Sequence, residues 1–248
     1  MSELRVTTLK HAAAAADNIT LDANGNVGIG TSSPGSRLDA RTSGATVARF
    51  QSTAVNGGYM TYVGGSTTYI GASLAMLGTG TASDFAIIGS GTNNLILGTS
   101  SSEKMRIDSA GRVTMPYQPM FSARATGSGT NPGANQTLPF TEVQVNVGNS
   151  YNASTSTFTA PVAGRYFFYF QALGGAGNGR VIANIQVNGS LYVEGSATAL
   201  QYNSLQAQVI IPLALGDAVR IQTSGTVEGT YLYASSSVQN WFMGYLLS

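Results

Sequence analysis

The sequence predicts an all-β protein, with a fibrous shaft of short strands and hairpins ahead of a C-terminal sandwich or barrel. Three observations carry that prediction. A hairpin pattern occurs twice, 86 residues apart. Between the two copies run short apolar groups that each end in glycine. Beyond them lie longer alternating strands, in a region, 116–248, that holds nine of the 12 tyrosines, the single tryptophan and seven of the nine phenylalanines.

Composition limits what else the chain can be. Charged residues are 9% of it and the formal net charge is +1. That balance supplies no basic surface for nucleic acid or an anionic membrane. There is no cysteine, hence no disulfide framework and no thiol chemistry. "MSELRVTTLK" lacks the apolar core of a signal peptide. The alanine run 12–16 is far shorter than the roughly 20 residues that span a bilayer. Folding in a cytoplasm without membrane insertion is expected; release as part of a particle would carry the protein outside.

Residues 1–18 come first. "LRVTTLKH" reads as a strand and the alanine run as a small-residue loop, because isolated helices below about 12 residues are marginal. His11, the only histidine, reads as a solvated residue beside polyalanine.

Residues 19–115 form the shaft. "ITLDANGNVGIG" (19–30) and "MRIDSAGRVTMP" (105–116) share one plan. Ile19, Leu21, Val27 and Ile29 alternate with polar or small residues, which is the strand period. Asp22 opens a type I turn, and Gly25 supplies the left-handed position that closes a bulged hairpin. Asp108 and Gly111 repeat the device. A lone hairpin is not stable in water, so its apolar face must rest on something else. Between the hairpins, "YVG", "YIG", "MLG", "IIG" and "LILG" place glycines at 64, 71, 78, 89 and 98. They read as very short strands broken by turns. Such strands bury an apolar side when several chains wrap one axis; a single-chain sandwich of poor strands is the alternative. Pro34 and Pro116 follow the hairpins as strand-stoppers.

Residues 116–248 form the head. "RYFFYFQA", "RVIANIQVNG", "LQAQVIIPLAL", "AVRIQTSG" and "NWFMGYLL" read as strands, with turn signals every 8–12 residues, the spacing of a sandwich or barrel. About 130 residues suffice for a substantial core. Its polar loops, 125–137, 174–179, 194–204 and 224–237, carry Asn, Gln, Ser, Thr and Tyr, which hydrogen-bond and stack on sugars without charge. Tyr202, Asn203, Tyr231 and Tyr233 are the candidate contact residues.

Catalysis is not expected. Without cysteine and with one histidine, nucleophilic triads are all but excluded. The 11 carboxylates are scattered along the chain, and no glycosidase-type pair stands out, although sequence leaves open a pair that meets between chains.

Two resemblances sharpen these readings. "MFSA" (120–123), "VQVNVGNSYNASTSTFTAPVAGRYFFYF" (143–170), "VNG" (187–189), "LALGDAVRI" (213–221) and "WFMGYLL" (241–247) resemble, in order, the globular head of complement C-one-q, which shares its jelly roll with the tumour necrosis factor family. The resemblance implies a ten-stranded jelly roll that packs as a homotrimer, with the run Tyr166–Phe170 in the core or the trimer interface, Gly164 at a turn and Asp217 at another. Some members of the family hold calcium near the trimer axis, but no carboxylate cluster here supports such a site; no metal and no cofactor is expected. "NVGIGTSSP" and "MRIDSAGRV" resemble segments of bacteriophage tail fibres. That resemblance implies a trimeric virion protein: residues 1–18 attach to a tail or baseplate protein, the two hairpins act as collars, and the head meets a host surface glycan or protein. The alternatives are a baseplate or capsid decoration protein with no receptor role, and a secreted bacterial adhesin, which should carry a signal peptide or wall anchor.

Overall fold

A computed structural model describes residues 7–10, 12, 18–42, 59–63, 67–78, 80, 84–89, 91–125, 133–173, 180–198, 203–224 and 239–248. These form two compact units, Met1–Asn93 and Asn94–Ser248. The second hairpin thus shares a unit with the head, whereas the sequence reading divides the chain between 115 and 116.

The first unit holds two small sheets. One has four strands in the order β1 (Thr8–Leu9), β2 (Ile19–Leu21), β3 (Val27–Ile29) and β4 (Leu38–Ala40). The other has three: β5 (Tyr59–Val63), β6 (Thr67–Ala72) and β7 (Phe85–Gly89). The expected strand in "LRVTTLKH" is therefore short where described, and most of the alanine run lies outside the described residues. "MLG" is not a strand. It ends helix α1 (Ser73–Leu77), which Gly78 caps in the left-handed conformation (φ 67°), its N–H donating to the Leu74 carbonyl at 3.1 Å. A five-residue helix is too short to show its period, so apolar spacing cannot distinguish it from a strand.

Both hairpin turns follow one hydrogen-bond plan. Asp22 Oδ1 accepts from the N–H groups of Asn24 (2.8 Å) and Asn26 (2.9 Å). Asp108 Oδ1 accepts from those of Ala110 (2.9 Å) and Arg112 (2.9 Å). In each, the glycine N–H closes onto the aspartate carbonyl, at 3.0 Å for Gly25 and 2.9 Å for Gly111. The glycine φ angles are 76° and 83°, in the region that side chains with a Cβ avoid.

The second unit opens with a three-stranded neck sheet: β8 (Leu95–Thr99), β9 (Ser102–Ile107) and β10 (Val113–Thr114), with β9 central. Ten strands follow: β11 (Met120–Arg124), β12 (Glu142–Val147), β13 (Tyr151–Asn152), β14 (Thr157–Thr159), β15 (Gly164–Leu173), β16 (Arg180–Val187), β17 (Ser190–Thr198), β18 (Ser204–Leu213), β19 (Ala218–Thr223) and β20 (Trp241–Leu246). They make two antiparallel five-stranded sheets, ordered β12-β11-β20-β15-β18 and β13-β14-β19-β16-β17, the jelly roll that the resemblance implied. Residues 194–198, read from composition as loop, are the end of β17 paired with β16; the ladder outweighs their polar character.

Alternation explains the core. Along β15, Tyr166, Phe168 and Phe170 point inward and are fully buried, while Phe167 and Tyr169 do not. Phe121 stacks on Tyr151 with centroids 4.5 Å apart and meets Phe242 edge-on at 4.8 Å. Gly244 makes this fit possible: a Cβ there would lie 2.5 Å from the Phe168 ring.

Candidate functional site

The pairing registers of the first head sheet place its outward side chains in three rows. The row nearest the neck is Val147, Met120, Tyr245, Phe167 and Ile210. Next comes Val145, Ser122, Met243, Tyr169 and Gln208. The last is Glu142, Arg124, Trp241, Gln171 and Gln206. One face therefore grades from wholly apolar at the base to charged and polar at the tip. Ile210 is 54% exposed and Met120 40%. Phe167 and Tyr245 touch ring to ring with centroids 5.4 Å apart. At the tip, Arg124 forms an ion pair with Glu142 and lays its guanidinium over the Trp241 ring, 5.4 Å from its centroid. Arg124 Nε is buried with no partner. Burial raises the Tyr169 hydroxyl above the ordinary tyrosine range, and that hydroxyl donates to Gln171 Oε1 at 2.7 Å.

The outward face of the second head sheet is different. It carries Thr157, Arg220, Gln222, Asn184 and Glu194 across its strands, with Ile182 and the exposed Leu191 as apolar exceptions. Solvent suits such a surface. A continuous exposed apolar face of the first kind marks a contact surface.

The ends of the strands define a second feature. Arg124 and Trp241, Leu173 and Ser204, and Arg180 and Thr198 are register partners at one end of the head, and β19 ends at Thr223 beside Ala183. The four polar connections predicted to bind all leave from this end. The neck joins at the other, through Met120. Of the candidate contact residues, Asn203 sits half-buried one residue before β18; Tyr202, Tyr231 and Tyr233 lie outside the described residues.

Asp217 holds the turn between β18 and β19 as expected. Its carboxylate accepts from Asn188 Nδ2 (2.8 Å) and the Ala214 N–H (2.8 Å), and these bonds, the Asn188 one foremost, hold its pKa below the ordinary value. Gly164 starts β15, immediately after a bend.

The sequence between Met120 and Leu247 matches the C1q domain model over residues 120–247, just over half of the chain. The chain belongs to the C1q domain family. Among solved structures, it is similar to the globular domain of zebrafish complement 1qA, at 19% identity over 53% of this chain and 98% of that one (TM-score 0.43). It is similar to murine APRIL at 13% identity, over 52% and 99% (TM-score 0.43). The Eiger TNF of S. frugiperda matches at 11% identity, over 53% and 94% (TM-score 0.41). The face residues Phe167, Tyr169, Met243 and Tyr245 of this C1q domain were hidden in the sequence. Parity along "GRYFFYFQAL" separates inward from outward positions, but only cross-strand register joins them into one surface.

Proposed function

We propose that the protein is a homotrimeric bacteriophage tail fibre whose C1q head closes around the apolar sheet face and binds the host surface with its tip. C1q- and TNF-like domains are often trimeric and bind ligands. The observation that carries the reading is the division of labour in the head: an apolar face for self-association, and four polar connections leaving from the end opposite the neck. Three copies around one axis would bury Val147, Met120, Tyr245, Phe167 and Ile210 and gather the tips into one binding end. The hairpin motifs support placing the protein in a virion, with residues 1–18 docking onto a tail or baseplate protein.

Binding rather than catalysis suits the acidic residues. Asp22, Asp39, Asp108 and Asp217 hold turns or neighbouring loops, and Glu103 and Glu142 are ion-paired. A glycan is the favoured ligand, because the tip connections are rich in neutral hydrogen-bonding side chains and poor in charge.

Two measurements test this reading. Light scattering of the full chain should give a trimer mass; a monomer overturns it. The purified protein should bind intact host cells nearly as well at physiological as at low ionic strength, since few charges take part. A steep loss with salt would assign the contact to charged groups, Arg124 first. A trimer that ignores host cells would be a decoration or baseplate part.

A further inference from the structure

We infer that the neck sheet β8–β10 is a second self-association surface, on which one specific face packs against the same face of two further copies of this chain. The inference rests on the trimeric reading of the head and extends it to residues outside the C1q domain.

Register defines the two faces. Leu95, Ile107 and Val113 lie side by side across the three strands, and Leu97 lies opposite Met105. Strand alternation puts these five on one face. The reverse face of the same strands carries Ile96, Arg106 and Thr114 as another cross-strand row, with Glu103, the partner of Gly98, on the same side. Arg106 is thus on the reverse face, and Lys104 is the extra residue of the bulge. Glu103, beyond the bulge between Leu97 and Gly98, is ion-paired with Arg106.

The bulge already has company. Lys104 holds its ammonium 3.9 Å from the centroid of the Tyr117 ring. Together they line a cleft of about 400 Å³ against Pro119, Val162 and Leu246 of the head's base. Among the described residues the apolar face is covered only in part: Leu95, Met105 and Ile107 are half-buried, while Leu97 is 49% exposed and Val113 51%. A three-stranded sheet gains independent stability by burying one hydrophobic face. Here that burial is incomplete within one chain.

Continuity identifies the occupant. The neck is fastened to the central strands of the head's apolar face: Gln118 Nε2 donates to the Leu246 carbonyl at 2.8 Å, and the Leu246 N–H to the Pro119 carbonyl at 3.0 Å. Three heads closing around that face bring three necks to one axis at high local concentration. Three sheets facing that axis supply one another's missing layer, and the charged reverse faces stay outside.

The absence of cysteine makes the test direct. Leu97→Cys and Ile96→Cys are introduced singly into the full chain. The two positions are neighbours with nearly equal exposure, 49% and 48%, on opposite faces. Val113→Cys is a second probe of the apolar face. Each protein is sized by light scattering, then treated with a mild oxidant or a short bismaleimide and run under denaturing conditions. In a trimer, Leu97→Cys and Val113→Cys should convert about two-thirds of the chains to covalent dimer, because a three-fold cluster leaves one thiol unpaired, and Ile96→Cys should stay single. Trimers in which Ile96→Cys cross-links as well as the other two, or in which neither apolar-face variant does, reject the neck contact and leave the head trimer standing. A monomer at every position rejects both.

Discussion

In the head, Phe158, Tyr166, Phe168, Phe170 and Phe242 are fully buried between two five-stranded sheets. In the β5–β7 sheet of the first unit, Met60, Tyr62, Phe85 and Ile87 share one face, at exposures from 40% to 72%. Only Gly28 and Ser73 are buried among the described residues of that unit. Both regions are built from alternating strands and glycine turns, yet they complete their burial at different levels. The head has a second layer in its own chain. Among the described residues the small sheets have none, and a β-sheet without a second layer cannot meet the conformational entropy of ordering it. On the trimeric reading, the head is the folding unit and the shaft sheets depend on assembly.

The largest effect expected from this contrast is a separation of the two parts. Residues 116–248 expressed alone should be soluble and trimeric, and residues 1–115 alone should be monomeric, disordered or aggregated. Light-scattering masses decide it. A monomeric head beside a trimeric shaft would reverse which region sets the register.

A single core substitution should act next most strongly, and only in the head. Phe121 touches Tyr151, Phe158 and Phe242 with centroids within 5.2 Å. Phe121→Ala should cost about 3–5 kcal/mol of head stability, read from denaturant unfolding. The matching change in the first unit, Phe85→Ala at a ring 72% exposed, should leave the isolated chain almost unaffected and weaken the trimer. Equal losses at the two sites would dissolve the contrast.

What the sequence revealed follows the same division. The two hairpins were legible because their bonds are local: Asp22 and Asp108 each hold N–H groups two and four residues ahead. The head strands were legible because alternation and turn spacing extend over long segments. Helix α1 was not, since "SLAML" is one turn and a half and its apolar pair suits a strand equally well. The end of β17 was not, because Ser196, Ala197 and Thr198 have the composition of a loop and only pairing with β16 makes them a strand. The proposed binding end emerged as a set of connections, while the proposed assembly face depended on a register spanning residues 120 to 246.

The turn glycines offer a smaller, cleaner effect. At Gly111 an added Cβ meets nothing within 4 Å, whereas at Gly25 it would lie 3.2 Å from Arg37 Nη1. Gly111→Val thus tests backbone conformation with little steric confusion, and should cost at least about 1 kcal/mol per chain. An unchanged melting transition in that variant would remove the left-handed turn from the account of the neck.

The smallest expected effect is with acid, and it too should separate the regions. The N–H of Asn26 foremost holds Asp22 below its ordinary value, and the N–H and guanidinium of Arg112 do so for Asp108. Arg41 and the Gly35 N–H bring Asp39 down to about 2. A depressed folded-state pKa means that the contribution is present above the unfolded value of 3.8 and is lost as pH falls through the folded value. For Asp39 that window runs from 3.8 to about 2. All three side chains lie half-buried at the surface, within reach of solvent, so screening keeps each contribution small. Among the described residues of the head, Asp217 is held down in this way, against Asp22, Asp39 and Asp108 outside it, so the shaft and neck should loosen first. Thermal melts of the full chain at pH 7 and pH 2.5 should show the shaft transition moving down more than the head transition. Asp22→Asn, in the first unit, keeps a side-chain oxygen for the two N–H groups of its turn but cannot titrate. It should shrink the shaft's acid shift by its share and leave the head's unchanged. A head transition that moves as far as the shaft's would mean that acid acts through the assembly as a whole, and not through these turns.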